Sequence, residues 1–274
     1  MWIFSEEKVS LFWWSEIHLT QKAKENYGDL IGKYIVEKIS NRNVVWVHPG
    51  KRKLKNTFTK IYFTVGSILS QVKGNCIVWG SGIISREHKI NKATFLAVRG
   101  PQTRKVLIQQ GHNVPEIYGD PALLMPVFFK PVVIKKFELG IIPHYVDYEV
   151  VLLHYRDIEN VVVIDLMTND VEQVTQLIAS CNSVISSSLH GLIVAHAYRV
   201  PAIWAEFSNK IYGDGVKYQD YFESVNLVTP KPLNLTAFFA LDEILVNFYK
   251  EFTLPKKEKI EAIQSQLMAC CPFI

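Results

Sequence analysis

Two periods of apolar residues alternate along this chain. Short runs rich in β-branched and aromatic side chains, Val9–Trp14, Asn43–Val47, Lys60–Val65, Cys76–Trp79 and Phe95–Val98, read as strands. Between the first two, Asn26-Tyr27-Gly28-Asp29 opens a helix in which Leu30, Ile31, Tyr34, Ile35 and Ile39 recur at helical spacing. Another helix follows Arg99-Gly100-Pro101 and runs through Gln110, where Gly111 stops it as a glycine just past the last turn does. Gly119-Asp120-Pro121-Ala122 and the proline-punctuated stretch Pro126–Pro131 break the alternation and read as a hinge. The pattern then restarts with strands at Leu139–Pro143, Val161–Asp165, Ser183–Ser187 and Pro201–Ala205, and helices at Val171–Ala179 and Leu189–Tyr198. From about Thr236 to Leu267 the chain is amphipathic helix. Strands separated by helices predict parallel sheets flanked by helices. The expected architecture is α/β, with two Rossmann-like domains facing across a cleft. Residues 1–128 form the first, and residues 129–274 form the second with the C-terminal helices.

Composition narrows the class. Of 274 residues, 49% are hydrophobic and 20% charged, enough to bury a sizeable core. Thirty basic and 26 acidic residues leave a net charge of +4, too mild and dispersed for a nucleic-acid reader. The local run Lys51, Arg52, Lys53 and Lys55 reads as a solvated loop, with attraction to phosphates or an anionic membrane surface as the other reading. Cys76, Cys181, Cys270 and Cys271 form no CxxC pair, which argues against a zinc site or a disulfide framework and suits a reducing compartment. No apolar run approaches the ~20 residues that span a bilayer, and Glu6 and Glu7 stand where a signal peptide is positively charged. The expectation is a cytoplasmic protein with peripheral contact at the inner face of a membrane, and no metal.

The sharpest local signal is Val184-Ile185-Ser186-Ser187-Ser188-Leu189-His190-Gly191. A buried strand ends in three hydroxyls and passes directly into a helix, whose first-turn amides make a ready anion site. Ser188 adds a hydroxyl there, Gly191 permits close approach, and His190 falls at the strand's carboxyl edge, where open α/β sheets bind ligands. The other reading is that Ser187 or Ser188 caps the helix and His190 packs. Arg99 also follows a strand and opens a helix; it suits a bidentate grip on carboxylate or phosphate, or an ion pair with a nearby acid. Gly80-Ser81-Gly82 and the Asn26–Asp29 loop match neither a P-loop nor a dinucleotide fingerprint, and read as sugar-site loops or tight turns. Asp120 reads as a helix cap. His144 and Asp147 follow a strand of the second domain and are expected at the cleft, whereas His18, His48, His88, His112, His154 and His196 show no ligand-like spacing.

In order, the segments NYGDLIGKY, WGSGI, RGPQTRKVL, GDPALLMP, GIIPHYVD, SSSLHGLIVAHAYRVPAIW and GDGVKYQDYFES resemble the polysaccharide pyruvyltransferase family over about residues 26–226. The resemblance implies a glycosyltransferase-B-like pair of Rossmann-like domains. It also implies transfer of pyruvate from phosphoenolpyruvate to two hydroxyls of a cell-surface glycan sugar or its precursor, with a lipid-linked acceptor as one form of it, and with no cofactor. Within it, the family's histidine falls on His190 and its donor-binding arginine on Arg99, with Ser187, Ser188, Leu189 and Gly191 around the donor phosphate. Some relatives carry a second arginine where this chain has Ser188, and Lys217 or His144 are the substitutes here. Asp29 is the candidate base on the acceptor hydroxyl. The remaining readings are a nucleotide-sugar glycosyltransferase of the same fold and a non-catalytic glycan-binding module.

Overall fold

A computed structural model describes residues 8–51, 59–238 and 240–274. Arg52, Lys53 and Lys55 of the basic run, and Glu6 and Glu7, lie outside the described residues. The first half contains β1 (Val9–Phe12), α1 (Glu16–Thr20), β2 (Glu25–Asn26), α2 (Tyr27–Ser40), β3 (Val44–Trp46), β4 (Ile61–Phe63), β5 (Cys76–Trp79), β6 (Thr94–Ala97), α3 (Pro101–Gln109) and α4 (Met125–Phe128). The second contains β7 (Phe137–Ile142), α5 (Tyr148–Tyr155), β8 (Val161–Val163), β9 (Met167–Thr168), α6 (Val171–Ala179), β10 (Cys181–Ser186), α7 (Leu189–Ala197), β11 (Ala202–Glu206), α8 (Val216–Ser224), β12 (Leu233–Asn234), α9 (Leu241–Glu251) and α10 (Lys257–Ala269).

Each half has a five-stranded sheet, ordered β3-β1-β4-β5-β6 in the first and β12-β11-β10-β7-β8 in the second. Every pairing in both is parallel. Parallel sheets are covered on both faces, so their strands are apolar throughout rather than alternating. Leu11 and Phe12 of β1, and Val184 and Ile185 of β10, are accordingly buried. The two Rossmann-like halves follow from this topology.

The first part of the stretch expected as a hinge is packed into the interior. Pro121, Ala122, Leu123, Leu124 and Met125 are buried in a core that also holds Tyr27 and Ile31 of α2, Leu192 and Ile193 of α7, and Ile260 and Ile263 of α10. The prolines there shape a 3-10 turn, with Asp120 capping it through the Ala122 amide at 2.9 Å.

The expected single C-terminal helix is two. Pro255 lacks an N–H and favours an extended predecessor, and Thr253 instead exchanges backbone hydrogen bonds with Ala202 beside β11. Then α10 crosses back to the first half: Trp79 Nε1 donates to the Leu267 carbonyl at 2.9 Å, and Phe273 packs on Tyr62 and Trp79. The terminal helix is therefore shared with the first half rather than belonging to residues 129–274 alone. The antiparallel pair β2–β9 is a further tie between the halves.

Candidate functional site

The carboxyl end of β10 is built from its own hydroxyls. Ser186 Oγ accepts from the Ser188 amide at 3.0 Å and lies 3.0 Å from the Ile142 carbonyl. Ser187 Oγ accepts from the His144 amide at 2.8 Å, while the Tyr218 hydroxyl donates to the Ser187 carbonyl at 2.6 Å. Two of the three serines thus fasten the turn. Ser188 occupies the N-cap position of α7 but its side chain caps nothing. The first-turn amides of a nine-residue helix are left without a side-chain partner, a polarity suited to an anion.

Ser188, Leu189 and His190 line a cleft of about 550 Å³ whose other walls include Asn26, Asp29, His144 and Lys217. That volume lies within the usual range of small-molecule sites. His190 sits in a narrow slot. A Cβ on Gly28 would approach its Nδ1 to 2.0 Å, so only glycine leaves room for the ring. On the other side Nε2 lies 3.6 Å from Asp120 Oδ2, and neither atom has a hydrogen-bond partner. The Asp120 side chain is fully buried and its other oxygen is committed to the turn, so its second oxygen is held towards the imidazole.

The charges around the ring are perturbed by the cleft. Burial pushes the Asp29 carboxyl up to about 7, against the attraction of His190 and Lys217 and with the help of Glu16 and Glu25. Burial and then repulsion by Arg99 bring Lys217 down to about 8, opposed by Asp29. Burial, with repulsion by Lys217 and Lys22, lowers His144 to about 4, so it is a neutral hydrogen-bonding group near pH 7. An acid poised near neutrality beside a readily neutralised amine is what acid–base chemistry at pH 7 requires.

The structure thus gathers Asn26, Asp29, His144, Ser188, Leu189, His190 and Lys217 at one cleft. Other expected site residues lie elsewhere. Arg99 is fully buried: Nε pairs with Asp220 Oδ2 at 3.0 Å, Nη1 with Ser67 Oγ at 2.5 Å and Nη2 with the Ile83 carbonyl at 2.7 Å. The ion-pair reading of this arginine is the one the structure bears out, because Nε pairs with the Asp220 carboxylate and both terminal nitrogens donate to Ser67 and Ile83; it does not line the cleft. Gly82 makes room for that guanidinium, Gly80 (φ +94°) for Pro121, and Ser81 is buried between them. Close packing, not ligand approach, explains this loop. A Cβ on Gly191 would meet Ser186 Oγ at 2.3 Å, so that glycine fits α7 to its own strand. Ser187 is buried in the turn, and Gly28 shapes the imidazole slot from behind. Asp147 is buried at the start of α5 with neither carboxylate oxygen hydrogen-bonded, outside the cleft lining.

Sequence reasoning missed Asp120 as a neighbour of His190, 70 residues away in the chain. It also missed the aromatic rim of Trp14, Tyr145 and Tyr212, the last with its ring 6.5 Å from His88. No local spacing links these residues; only the folded topology does. Among the described residues no group of three His, Cys, Asp or Glu could hold a metal ion, and no helix is long and apolar enough to cross a membrane.

Fold and cleft together define a two-lobed α/β protein with an acid–base-equipped site at the carboxyl edge of its second sheet. The polysaccharide pyruvyl transferase family model matches residues 26–209, so the chain belongs to that family of glycan-modifying transferases. An uncharacterized protein of Acanthamoeba polyphaga mimivirus is 34% identical over 219 residues, which is 75% of this chain and 73% of the viral one. A variant of the wall teichoic acid polymerase TagF is a structural neighbour at a TM-score of 0.43 and 11% identity, over 96% of this chain and 88% of that one.

Proposed function

We propose that this protein transfers pyruvate from phosphoenolpyruvate to two hydroxyls of one sugar, releasing phosphate and leaving a cyclic ketal. The observation that carries this reading is that His190, Asp29 and Lys217 line one cleft with the uncapped N-terminus of α7. The donor has two anionic groups and needs both a proton source and a place for phosphate; the cleft supplies each.

The steps balance without an oxidant or reductant. Protonation of the donor methylene generates a cation at the adjacent carbon, and one sugar hydroxyl attacks it as its proton leaves. Expulsion of phosphate regenerates a cation, and the second hydroxyl closes the ring. Of the two protons shed by the diol, one is matched by the new methyl group and the other leaves on phosphate. The α7 amides and Lys217 hold the donor anions, Lys217 in place of the arginine expected from Arg99. His190 exchanges protons at the donor, and Asp120 holds its ring as a positioning residue. Asp29 accepts the acceptor's proton, as its placement at the head of α2 on the facing wall permits.

Titration calorimetry with phosphoenolpyruvate tests the donor. Binding by the wild type and its loss in Lys217→Ala is the expected result. Binding of a nucleoside diphosphate sugar but not of phosphoenolpyruvate transfers the assignment to a glycosyltransferase. For chemistry, His190→Ala should cost roughly 10²–10⁴-fold in turnover, the usual contribution of a general acid–base group; normal turnover in that variant removes His190 from the mechanism.

A further inference from the structure

Arg99 lies outside the cleft, but a hydroxyl it holds does not. Ser67, just past β4, lines the cleft, and its Oγ accepts from Arg99 Nη1 at 2.5 Å. A guanidinium donates through all its nitrogens and accepts nothing. That bond therefore fixes the polarity of the hydroxyl: Ser67 gives a lone pair to Arg99 and must aim its own hydrogen elsewhere. Among the described residues that hydrogen has no protein acceptor, and Ser67 is half-buried at the cleft wall. The arrangement is held from behind, because Asp220 and the Ile83 carbonyl fix the guanidinium and the Gly82 amide donates to the Gly66 carbonyl at 3.0 Å.

Asp29 stands beside this loop. Gly66 packs so near it that an added Cβ would lie 3.4 Å from Asp29 Oδ1. The two walls of the cleft also differ in charge. From the first half come Glu16, Asp29, Ser67, Ser70 and Gln71, and no lysine or arginine; Lys210 and Lys217 come from the second half, with the start of α7. An anionic donor belongs on the second wall and a neutral polyhydroxylated acceptor on the first. A sugar hydroxyl has one hydrogen and two lone pairs, and the first wall offers it one donor and one acceptor.

We infer that Ser67 orients the attacking hydroxyl of the acceptor. Its O–H donates to that oxygen, which turns the sugar's own hydrogen towards Asp29 and leaves one lone pair for the donor carbon. The inference rests on the pyruvyl-transfer reading of the cleft. In the step itself the new C–O bond forms as the sugar O–H bond breaks; the proton goes to Asp29, and Ser67 keeps its own. Arg99 acts through Ser67 as a positioning residue.

The test compares full-length wild type, Ser67→Ala and Ser67→Thr, each checked for fold by circular dichroism. Phosphoenolpyruvate is titrated by calorimetry. Saturation-transfer NMR is run with the methyl glycosides of galactose, glucose, mannose and N-acetylglucosamine and the monodeoxy derivatives of each. At least one glycoside should bind Ser67→Ala about tenfold more weakly than wild type, the scale of one hydrogen bond, and Ser67→Thr, which keeps the hydroxyl, within about threefold. Removing one particular hydroxyl from that glycoside should cost wild type about tenfold more than it costs Ser67→Ala. A serine with a merely structural role gives no such coupling. Phosphoenolpyruvate should bind Ser67→Ala as it binds wild type. Weakened phosphoenolpyruvate binding in Ser67→Ala gives the serine to the donor and overturns the inference. So does a panel in which no glycoside binds, an affinity that Ser67→Ala leaves alone, or a loss with no coupling to any single hydroxyl. Failure of phosphoenolpyruvate to bind wild type, with the hydroxyl coupling intact, sinks the donor reading and not the acceptor contact.

Discussion

Asp29 is held with its pKa raised from an ordinary 3.8 to about 7, chiefly by burial. The folded chain therefore retains a proton that the unfolded chain loses as pH rises through about 4. The sign follows: ionising Asp29 opposes folding, so its contribution declines as pH rises from about 4 to about 7 and is level above that. Asp29→Asn should gain stability relative to wild type between pH 5 and pH 7.5, read as the difference in urea midpoint at the two values. The same substitution should lower turnover roughly 10²–10⁴-fold and abolish the limb of the pH profile that rises through about 7. A retained limb assigns the titration to another group. Gly28 poses a steric question instead. Because an added Cβ falls 2.0 Å from His190 Nδ1, Gly28→Ala must expel the imidazole from its slot. Turnover should fall about as far as in His190→Ala while circular dichroism stays native. Activity near wild type means the ring has no fixed place in the reaction.

At the scale of elements, the strand–helix alternation was legible because parallel strands are uniformly apolar and helices carry a 3.6-residue stripe. β5 and α6 fall at the residues expected, Cys76–Trp79 and Val171–Ala179. Pieces that owe their existence to distant partners were not legible. The two residues of β2 pair with β9 across more than 140 positions, and α8 is fastened by Asp220 to Arg99 and Thr103 of the other half. The site divided along the same line. His190, Asp29, Ser188 and Lys217 sit at element ends, where sequence marks them, whereas Asp120 resembles any capping aspartate until the fold brings it to His190. Capping also separates structure from chemistry. Asp170 accepts from the Gln173 amide at 3.0 Å and caps α6, so Asp170→Ala should cost about 1 kcal/mol. Ser188 makes no such bond, so Ser188→Ala should change stability by less than about 0.5 kcal/mol. Its measurable effect should instead be weaker phosphoenolpyruvate binding. A stability loss equal to that of Asp170→Ala would assign Ser188 to the helix rather than to the donor.

Across the whole molecule the two halves are tied rather than linked. One core runs from Val9 and Leu11 of the first sheet through Leu123 and Leu124 of the buried joint to Val184, Leu192 and Trp204 of the second half. α10 straps the joint from outside, and Arg99 passes its guanidinium to Asp220, whose carboxylate also receives the Thr103 amide at 2.8 Å and its hydroxyl at 2.6 Å. A shared core predicts one cooperative unfolding transition by both near-ultraviolet circular dichroism and calorimetry, in place of two lobes melting separately. Removing one partner of the buried pair leaves the other charge without compensation, a loss on the order of 3–5 kcal/mol. Arg99→Ala should therefore lower the midpoint of that single transition sharply. This bears on how the donor is tested. Lost phosphoenolpyruvate binding in Arg99→Ala is expected from unfolding alone and says nothing about an arginine grip. The informative measurement is affinity at a temperature where the variant is still folded, checked by circular dichroism on the same sample. Because Arg99 lies behind Lys217 and repels its charge, its removal should raise the pKa of Lys217 and leave donor binding intact or slightly tighter at pH 8. A folded Arg99→Ala protein that has lost the donor altogether restores the direct role expected from sequence, and requires the guanidinium to leave Asp220 when ligand arrives.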